Sequence, residues 1–286
     1  MRWCLFSLVL FLSATVVAEE QSPTLERIAE SGEFRIGYVP DAAPLSFSEE
    51  GGAAAGYSID LCKQVAEAVR ELLGLESLDV SYVPLVSMED RIGAVESGDV
   101  DIECGATTVT LSRRERVDFT LMTYITGSAI LSRSEAPIYT VEDARDKTIA
   151  AIQGTTTEAV LREMTEVNRV NLTLALIETH DQGMELLNDG KVDGFASDRA
   201  MLIGQEFRAA NARNRYTLSR GALSFEPYAL MVRRGDTGFR LVADRALAAV
   251  YRTVLIRRLH QRWFGQYGET ITPVVEAMYQ FQAVGE

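Results

Sequence analysis

Histidine and cysteine are scarce in this chain: two of the former and three of the latter in 286 residues. With only His180 and His260 to draw on, Ser-His-Asp triads and histidine-rich metal sites have little material. None of the runs G-x-S-x-G, H-E-x-x-H, G-x-x-x-x-G-K-[ST] or G-x-G-x-x-G occurs, so no hydrolase, metalloprotease or nucleotide signature is present and no cofactor is expected. An enzyme working through carboxylates alone stays open. Long apolar runs are missing beyond the first residues: no other segment approaches the ~18 consecutive apolar residues of a membrane-spanning helix. Basic charge is in deficit, with 28 Lys and Arg against 41 Asp and Glu and a net charge of −13. Such a surface repels phosphate backbones and anionic lipid, which excludes nucleic acid as an expected partner. It does not constrain a buried pocket, which can be locally basic.

The N-terminus has the grammar of a secretory signal peptide. Arg2 supplies a short positive region, Trp3 to Leu12 is apolar apart from Ser7, and Val16-Val17-Ala18 offers small-residue cleavage chemistry. Cleavage is expected after Ala18; the alternative is an uncleaved anchor. Cys4 would leave with the signal. The remaining Cys62 and Cys104 would meet an oxidising compartment, where a disulfide and two buried thiols are both admissible. The about 268 residues left suffice for two lobes, each with its own core.

Strand-like and helix-like segments alternate along the rest of the chain. Phe34 to Val39 reads as a strand. A helix follows from Ser58, its suggested cap, through Leu61, Val65, Val69 and Leu72 to Gly74. Leu78 to Val83 and Val100 to Cys104 read as strands around a short helix, Met88 to Glu96. The second half repeats this: strand Thr148 to Ile152, a helix start at Thr155 with Glu158 as its capping-box partner, strand Asn171 to Ile177, helix Asp181 to Leu187 and strand Val192 to Ala196. One local similarity links the halves. Gly98-Asp99-Val100-Asp101 and Gly190-Lys191-Val192-Asp193 both end a short helix and enter a strand. Two related α/β lobes with mainly parallel sheets follow from this pattern, and their strand-to-helix loops would face one another across a cleft. Coincidence between two ordinary helix stops is the competing account. From Asp236 onward Leu241, Leu247, Val250, Val254 and Leu259 suggest long helical packing on one lobe.

Several residues could hold a small anion. Gly105-Ala106-Thr107-Thr108 follows a strand, with Arg113 close behind to offer a bidentate fork. Gly154-Thr155-Thr156 sits at a helix N-terminus, where the dipole favours negative charge. Arg113 also lies in Arg113-Arg114-Glu115-Arg116, as a merely solvated charge would. Asp198, after a strand, suits either an ammonium group or the cap of a helix over Met201 to Phe207, and His180 suits a surface or capping role.

Taken together, GYSIDLC at 56–62, ESGDVDIECGATT at 96–108, SRRERVDFT at 112–120, GTTTE at 154–158, DGKVDGFASD at 189–198, EPYALMVRRGD at 226–236 and RWF at 262–264 resemble the family 3 solute-binding proteins of polar amino acid ABC importers, the glutamate/aspartate-binding branch above all. The resemblance implies a type II periplasmic binding protein fold: one lobe from 19–122 plus 227–286, a second from 123–226, and the ligand between them. It implies a periplasmic, monomeric receptor that gives its amino acid to a membrane permease. Arg113 matches the clamp of the ligand α-carboxylate, Thr108 and Thr156 match hydroxyls that help hold it, and Asp198 matches the partner of the α-ammonium. Arg91 and His180 match positions that reach the ligand side chain.

Departures from the pattern bear on specificity. Val39 stands where acidic-amino-acid binders carry another arginine, a loss of about 1.5–3 kcal/mol for a charge-assisted bond. Ala106 replaces a frequent serine, and Met88 replaces serine or an aromatic. An acidic or amide side chain is expected in the ligand. Val254-Leu255 replaces a Gly-Glu break, so one helix is expected to run through. Dehydratases acting on prephenate- or arogenate-like substrates resemble these binders as well; an enzyme of that kind would need a general acid, for which Glu103 and Glu158 are the nearest candidates against their plainer roles as strand partner and helix cap.

Overall fold

The computed structural model describes residues 22–167, 170–208 and 215–285. The signal segment and its expected cleavage site lie outside the described residues. The chain starts with α1 (Pro23–Ser31), capped by Ser22, and β1 (Glu33–Tyr38). Three short strands, β2 (Asp41–Ala42), β3 (Ser46–Ser48) and β4 (Ala54–Ala55), make a small antiparallel sheet. α2 (Tyr57–Leu72), β5 (Asp79–Pro84), α3 (Met88–Ser97), β6 (Ile102–Glu103) and the single turn α4 (Leu111–Arg114) complete the first run.

A 17-residue strand, β7 (Val117–Arg133), then carries the chain into the second half. There β8 (Thr148–Ile152), α5 (Thr156–Glu166), β9 (Thr173–Ile177), α6 (His180–Asn188), β10 (Gly194–Asp198), α7 (Arg199–Arg208) and β11 (Tyr216–Leu218) follow in order. The chain returns along β12 (Phe225–Arg233) and ends in α8 (Thr237–Tyr251), α9 (Leu255–Phe264) and α10 (Pro273–Gln282).

The strand order is β5-β1-β6-β12-β7-β10-β8-β9, with β11 on the far part of β7. β5, β1 and β6 are parallel, as are β9, β8 and β10; β12 and β7 run antiparallel between the two sets. β7 pairs with β12 from Val117 to Gly127 and with β10 from Ser128 to Ser132, so it belongs to both lobes. This is the two-lobed α/β fold, each lobe having a mainly parallel sheet at its centre. No helix among the described residues is long and apolar enough to cross a membrane.

The repeat seen in the sequence is structural. In the first lobe the N–H of Arg35 donates to Asp101 Oδ2 at 2.7 Å and Asp101 N–H donates to Arg35 O at 2.9 Å. In the second, Thr148 N–H donates to Asp193 Oδ2 at 2.8 Å and Asp193 N–H returns to Thr148 O at 2.8 Å. Each aspartate thus locks a strand entry to its neighbour by the same reciprocal pair, after a helix stopped by a left-handed glycine, Gly98 or Gly190.

Cys62 of α2 and Cys104 beyond β6 form a disulfide with Cα atoms 6.4 Å apart, which closes the alternative of two free thiols. The terminal helices cover the first lobe. Trp263 Nε1 donates to Asp60 Oδ2 at 2.8 Å, and Phe264 stacks on Tyr124 with centroids 4.7 Å apart. His260 stacks on Phe264 in the same layer, and burial pushes its pKa down to about 4.

Three local expectations need correction. The helix does not run through Val254-Leu255: α8 stops at Tyr251 and α9 starts at Leu255, with the Thr253 hydroxyl donating to Val250 O in the break. β-branched Thr253 and Val254 favour that interruption over continued helix. Ser58 is not the cap of α2, which begins one residue earlier after Gly56. Gly56 has φ +133°, and a Cβ there would fall 2.2 Å from Leu45 O, so only glycine fits. Thr155 does cap α5, but the Glu158 carboxylate accepts from Gly154 N–H instead of closing the box on Thr155.

Candidate ligand site between the lobes

The lobes are shut on each other. Asp41 of the first lobe caps the start of α6 in the second, its Oδ2 2.6 Å from His180 N, while Gln205 Nε2 of α7 donates to Asp41 O at 2.9 Å. A Cβ on Gly204 would meet Ala43 O at 2.3 Å, so glycine lets α7 lie against the opposite lobe. Burial alone would raise the Asp41 carboxyl, but its bonds to His180 outweigh this and hold it below its ordinary value.

These contacts enclose a cavity at the carboxyl ends of the strands. All nine residues singled out in the sequence line it: Val39, Met88, Arg91, Ala106, Thr108 and Arg113 from the first lobe, and Thr156, His180 and Asp198 from the second. The loops gather there because each follows a strand of a parallel set, where the sheet turns its C-terminal edge to the cleft.

Arg113 comes from α4, whose one turn is fixed by the Thr110 hydroxyl accepting from Arg113 N–H at 3.1 Å. Its side chain turns inward and is 8% exposed, unlike its sequence neighbour Arg114, so it is not a solvated charge. Nη1 donates to Thr108 O at 2.7 Å and Nη2 to Gly154 O at 3.3 Å. Burial and the nearby Arg91 push its pKa down to about 10, which leaves it cationic at neutral pH. Beside it, Thr156 opens α5, whose first-turn N–H groups and dipole face the same space.

Asp198 ends β10 and accepts from the Thr157 hydroxyl at 3.2 Å and from the Tyr228 hydroxyl. Burial and the neighbouring Glu226 carboxylate push its pKa up to about 6. A cation bound there would relieve both effects. Asp198 is a strand-end residue whose carboxylate lines the cavity.

Arg91 lines the same cavity and is engaged. Its Nε lies 2.8 Å from Glu103 Oε1 and its Nη2 donates to the Thr107 hydroxyl. Glu103, fully buried, is therefore the partner of an arginine. His180 Nε2 is 3.2 Å from the Ser197 hydroxyl, while Nδ1 is 3.5 Å from Asp41 Oδ2. Val39, Met88, Val86 and Met201 give the cavity apolar walls.

Sequence reasoning missed Asp41, Thr157, Glu226 and Tyr228. Glu226, on β12, accepts from both Thr108 and Thr156 at 2.6 Å. An acidic residue opening the apolar run Tyr228 to Val232 was the available signal, because a charge beside a buried strand needs a partner.

A buried guanidinium, a helix N-terminus and a carboxylate converging between two closing lobes define a solute-binding receptor. The chain belongs to the bacterial extracellular solute-binding proteins, family 3, whose model matches residues 34–266. It is similar to the L-glutamate/L-aspartate-binding protein of Pseudomonas aeruginosa, with 35% identity over 89% of this chain and 84% of that one. The glutamate/aspartate import solute-binding protein of Escherichia coli K12 is 28% identical over 90% of this chain and 86% of its own. In fold it matches a solute receptor for L-cysteine of Neisseria gonorrhoeae, with a TM-score of 0.76, 24% identity, and coverage of 88% and 98%. The enzymatic alternative gives way to this membership: the chain is a binding protein, and Glu103 is engaged by Arg91 and Thr107 while Glu158 is engaged by Gly154 N–H and Arg162.

Proposed function

We propose that this protein captures a free amino acid with an acidic or amide side chain and delivers it to the membrane permease of an ABC importer. Arg113 would take the α-carboxylate with the first turn of α5, Asp198 would take the α-ammonium, and the end near Arg91, His180, Met88 and Val39 would face the side chain. The observation that carries this reading is the placement of Arg113, buried in the cleft and bonded to the Gly154 carbonyl of the opposite lobe. The names of the relatives from Pseudomonas aeruginosa and Escherichia coli, glutamate/aspartate-binding in each case, support the ligand class. The lobes would be bounded near 122/123 and 226/227, where β7 and β12 form the two straps that bend. The mature protein would act in the periplasm as a monomer after removal of residues 1–18; the Cys62–Cys104 disulfide supports an oxidising compartment.

A thermal-shift screen of the twenty amino acids on the chain without residues 1–18 tests the reading. A ligand at about 100 times its Kd adds about 2.7 kcal/mol of stability. Glutamate, aspartate, glutamine or asparagine is expected to raise Tm; no shift with any amino acid would contradict it.

A further inference from the structure

The cavity is backed by a carboxylate whose hydrogen bonds decide what the site can recognise. Glu226 is 1% exposed and stands on β12 beside the point where β7 passes between lobes. Its Oε2 accepts from Thr108 Oγ1 at 2.6 Å and from Thr156 Oγ1 at 2.6 Å. Its Oε1 accepts from the Ser224 hydroxyl, which lies 2.5 Å from the Ser128 hydroxyl. Thr108 belongs to the first lobe and Thr156 to the second, so one carboxylate oxygen joins the two sides of the cleft.

A threonine hydroxyl has one hydrogen and two lone pairs. With that hydrogen given to Glu226, each hydroxyl can only accept from an occupant of the cavity that both threonines line. Neither can then donate to a carboxylate. The donors left for an anionic head group are Arg113 and the first-turn N–H groups of α5. Two oriented acceptors backed by an anion, near the Asp198 carboxylate, suit a group with several N–H donors and a positive charge.

We propose that Glu226 is the specificity-determining residue for the amino end of the ligand: by taking the hydroxyl hydrogens of Thr108 and Thr156 across the closed cleft, it makes both oxygens acceptors for an α-ammonium. Selection of amino acids over their deaminated counterparts is thus built into the closed state through a residue on the hinge strand. The effect of Glu226 on Asp198, whose pKa it helps raise, agrees with two carboxylates standing close together. Arg113 is the cation already facing them. This inference rests on the amino acid reading above.

The test is calorimetric titration of wild type, Glu226→Gln and Thr156→Val with L-glutamate and L-glutamine, and with glutarate and glutaramate, which lack the α-amino group. In Glu226→Gln the amide N–H group faces the threonines, and their hydroxyls turn to donate into the cavity. Affinity for the amino acid should fall about tenfold or more while that for the deaminated partner holds or rises. Thr156→Val, nearly isosteric and with Glu226 intact, should lower the same ratio. Equal losses for both members of a pair in the variants would overturn the inference while leaving the amino acid reading in place. If Glu226→Gln does not fold, an unchanged ratio in Thr156→Val overturns it. Wild-type protein that binds none of glutamate, glutamine, aspartate and asparagine would overturn both.

Discussion

Arg113 Nη2 donates to the Gly154 carbonyl oxygen at 3.3 Å, so a guanidinium from the first lobe touches the loop that opens α5 in the second. The other end of the fork, Nη1, is held by Thr108 O at 2.7 Å. On the proposed reading, capture and closure act at one place: a carboxylate there would meet the guanidinium on one side and helix-end amides on the other. Arg113 pays for its burial through these carbonyls and through the carboxylates of Glu226 and Asp198, which oppose the fall of its pKa.

Specificity should respond to position 39. The Arg91 charge is already matched by Glu103 at 2.8 Å, so Arg91 is not an unpaired arginine for a ligand side chain. Val39→Arg would add one, worth about 1.5–3 kcal/mol for a charge-assisted bond to a ligand carboxylate. The ratio of glutamate to glutamine affinity should rise about tenfold or more, measured by titration of both ligands. An unchanged ratio would mean that Val39 does not face the ligand side chain.

Binding should weaken in mild acid. Asp198 must be ionised to hold an ammonium, and burial with Glu226 sets its pKa at about 6. A proton competes with the ligand below that value, so affinity is full above pH 7 and declines as pH falls. About tenfold should be lost between pH 7 and pH 5. Asp198→Asn should flatten this profile and weaken amino acids more than deaminated analogues. A wild-type Kd constant from pH 7 to pH 5 would remove Asp198 from the ammonium site.

Much of this site was legible because its residues sit at strand ends followed by small or hydroxyl residues, a local pattern. Thr156 is of that kind, at the start of α5 just after β8, whereas Arg113, on α4 in the run Arg113-Arg114-Glu115-Arg116, was singled out by the family resemblance; the Gly-x-Val-Asp repeat was legible too, and its aspartates make matching bonds in the two lobes. Glu226 was not legible as a site residue. Its partners Thr108 and Thr156 are 118 and 70 positions away, and only the crossing of β12 with β7 brings them together. Asp41 was hidden for the same reason, since its bond to His180 spans 139 positions. The break between α8 and α9 escaped because apolar periodicity continues through Val254, while the interruption depends on Thr253 bonding back to Val250 O.

The disulfide should carry substantial stability. Cys62 and Cys104 close a loop with a sequence separation of 42 residues, for which chain-entropy reasoning gives about 4 kcal/mol. The Cys62→Ser, Cys104→Ser double variant should unfold at markedly lower urea, and reductant should lower wild-type Tm but not that of the variant. Equal urea midpoints would show that the bridge adds nothing to the packed first lobe.

His260 should set part of the acid response of folding. Its folded pKa, about 4 through burial, lies below the unfolded value of 6.5. Stability from this residue is therefore complete above about pH 6.5 and lost as pH falls toward 4, by up to about 3 kcal/mol. His260→Phe keeps the stack on Phe264 and removes the titration. The stability difference between variant and wild type should grow in the variant's favour from pH 7 to pH 4.5, by urea denaturation. A difference independent of pH would contradict a buried neutral imidazole.

The most direct test is the affinity of Arg113→Ala for whichever amino acid stabilises the wild-type protein, by isothermal titration at pH 7.5. Removing a buried, hydrogen-bonded partner of a ligand carboxylate costs about 2–5 kcal/mol. Binding should weaken by about 30-fold at the least, with the ligand-free variant still folded. Affinity within a few-fold of wild type would contradict the account, because the cleft would then hold its ligand without the guanidinium on which both capture and closure depend.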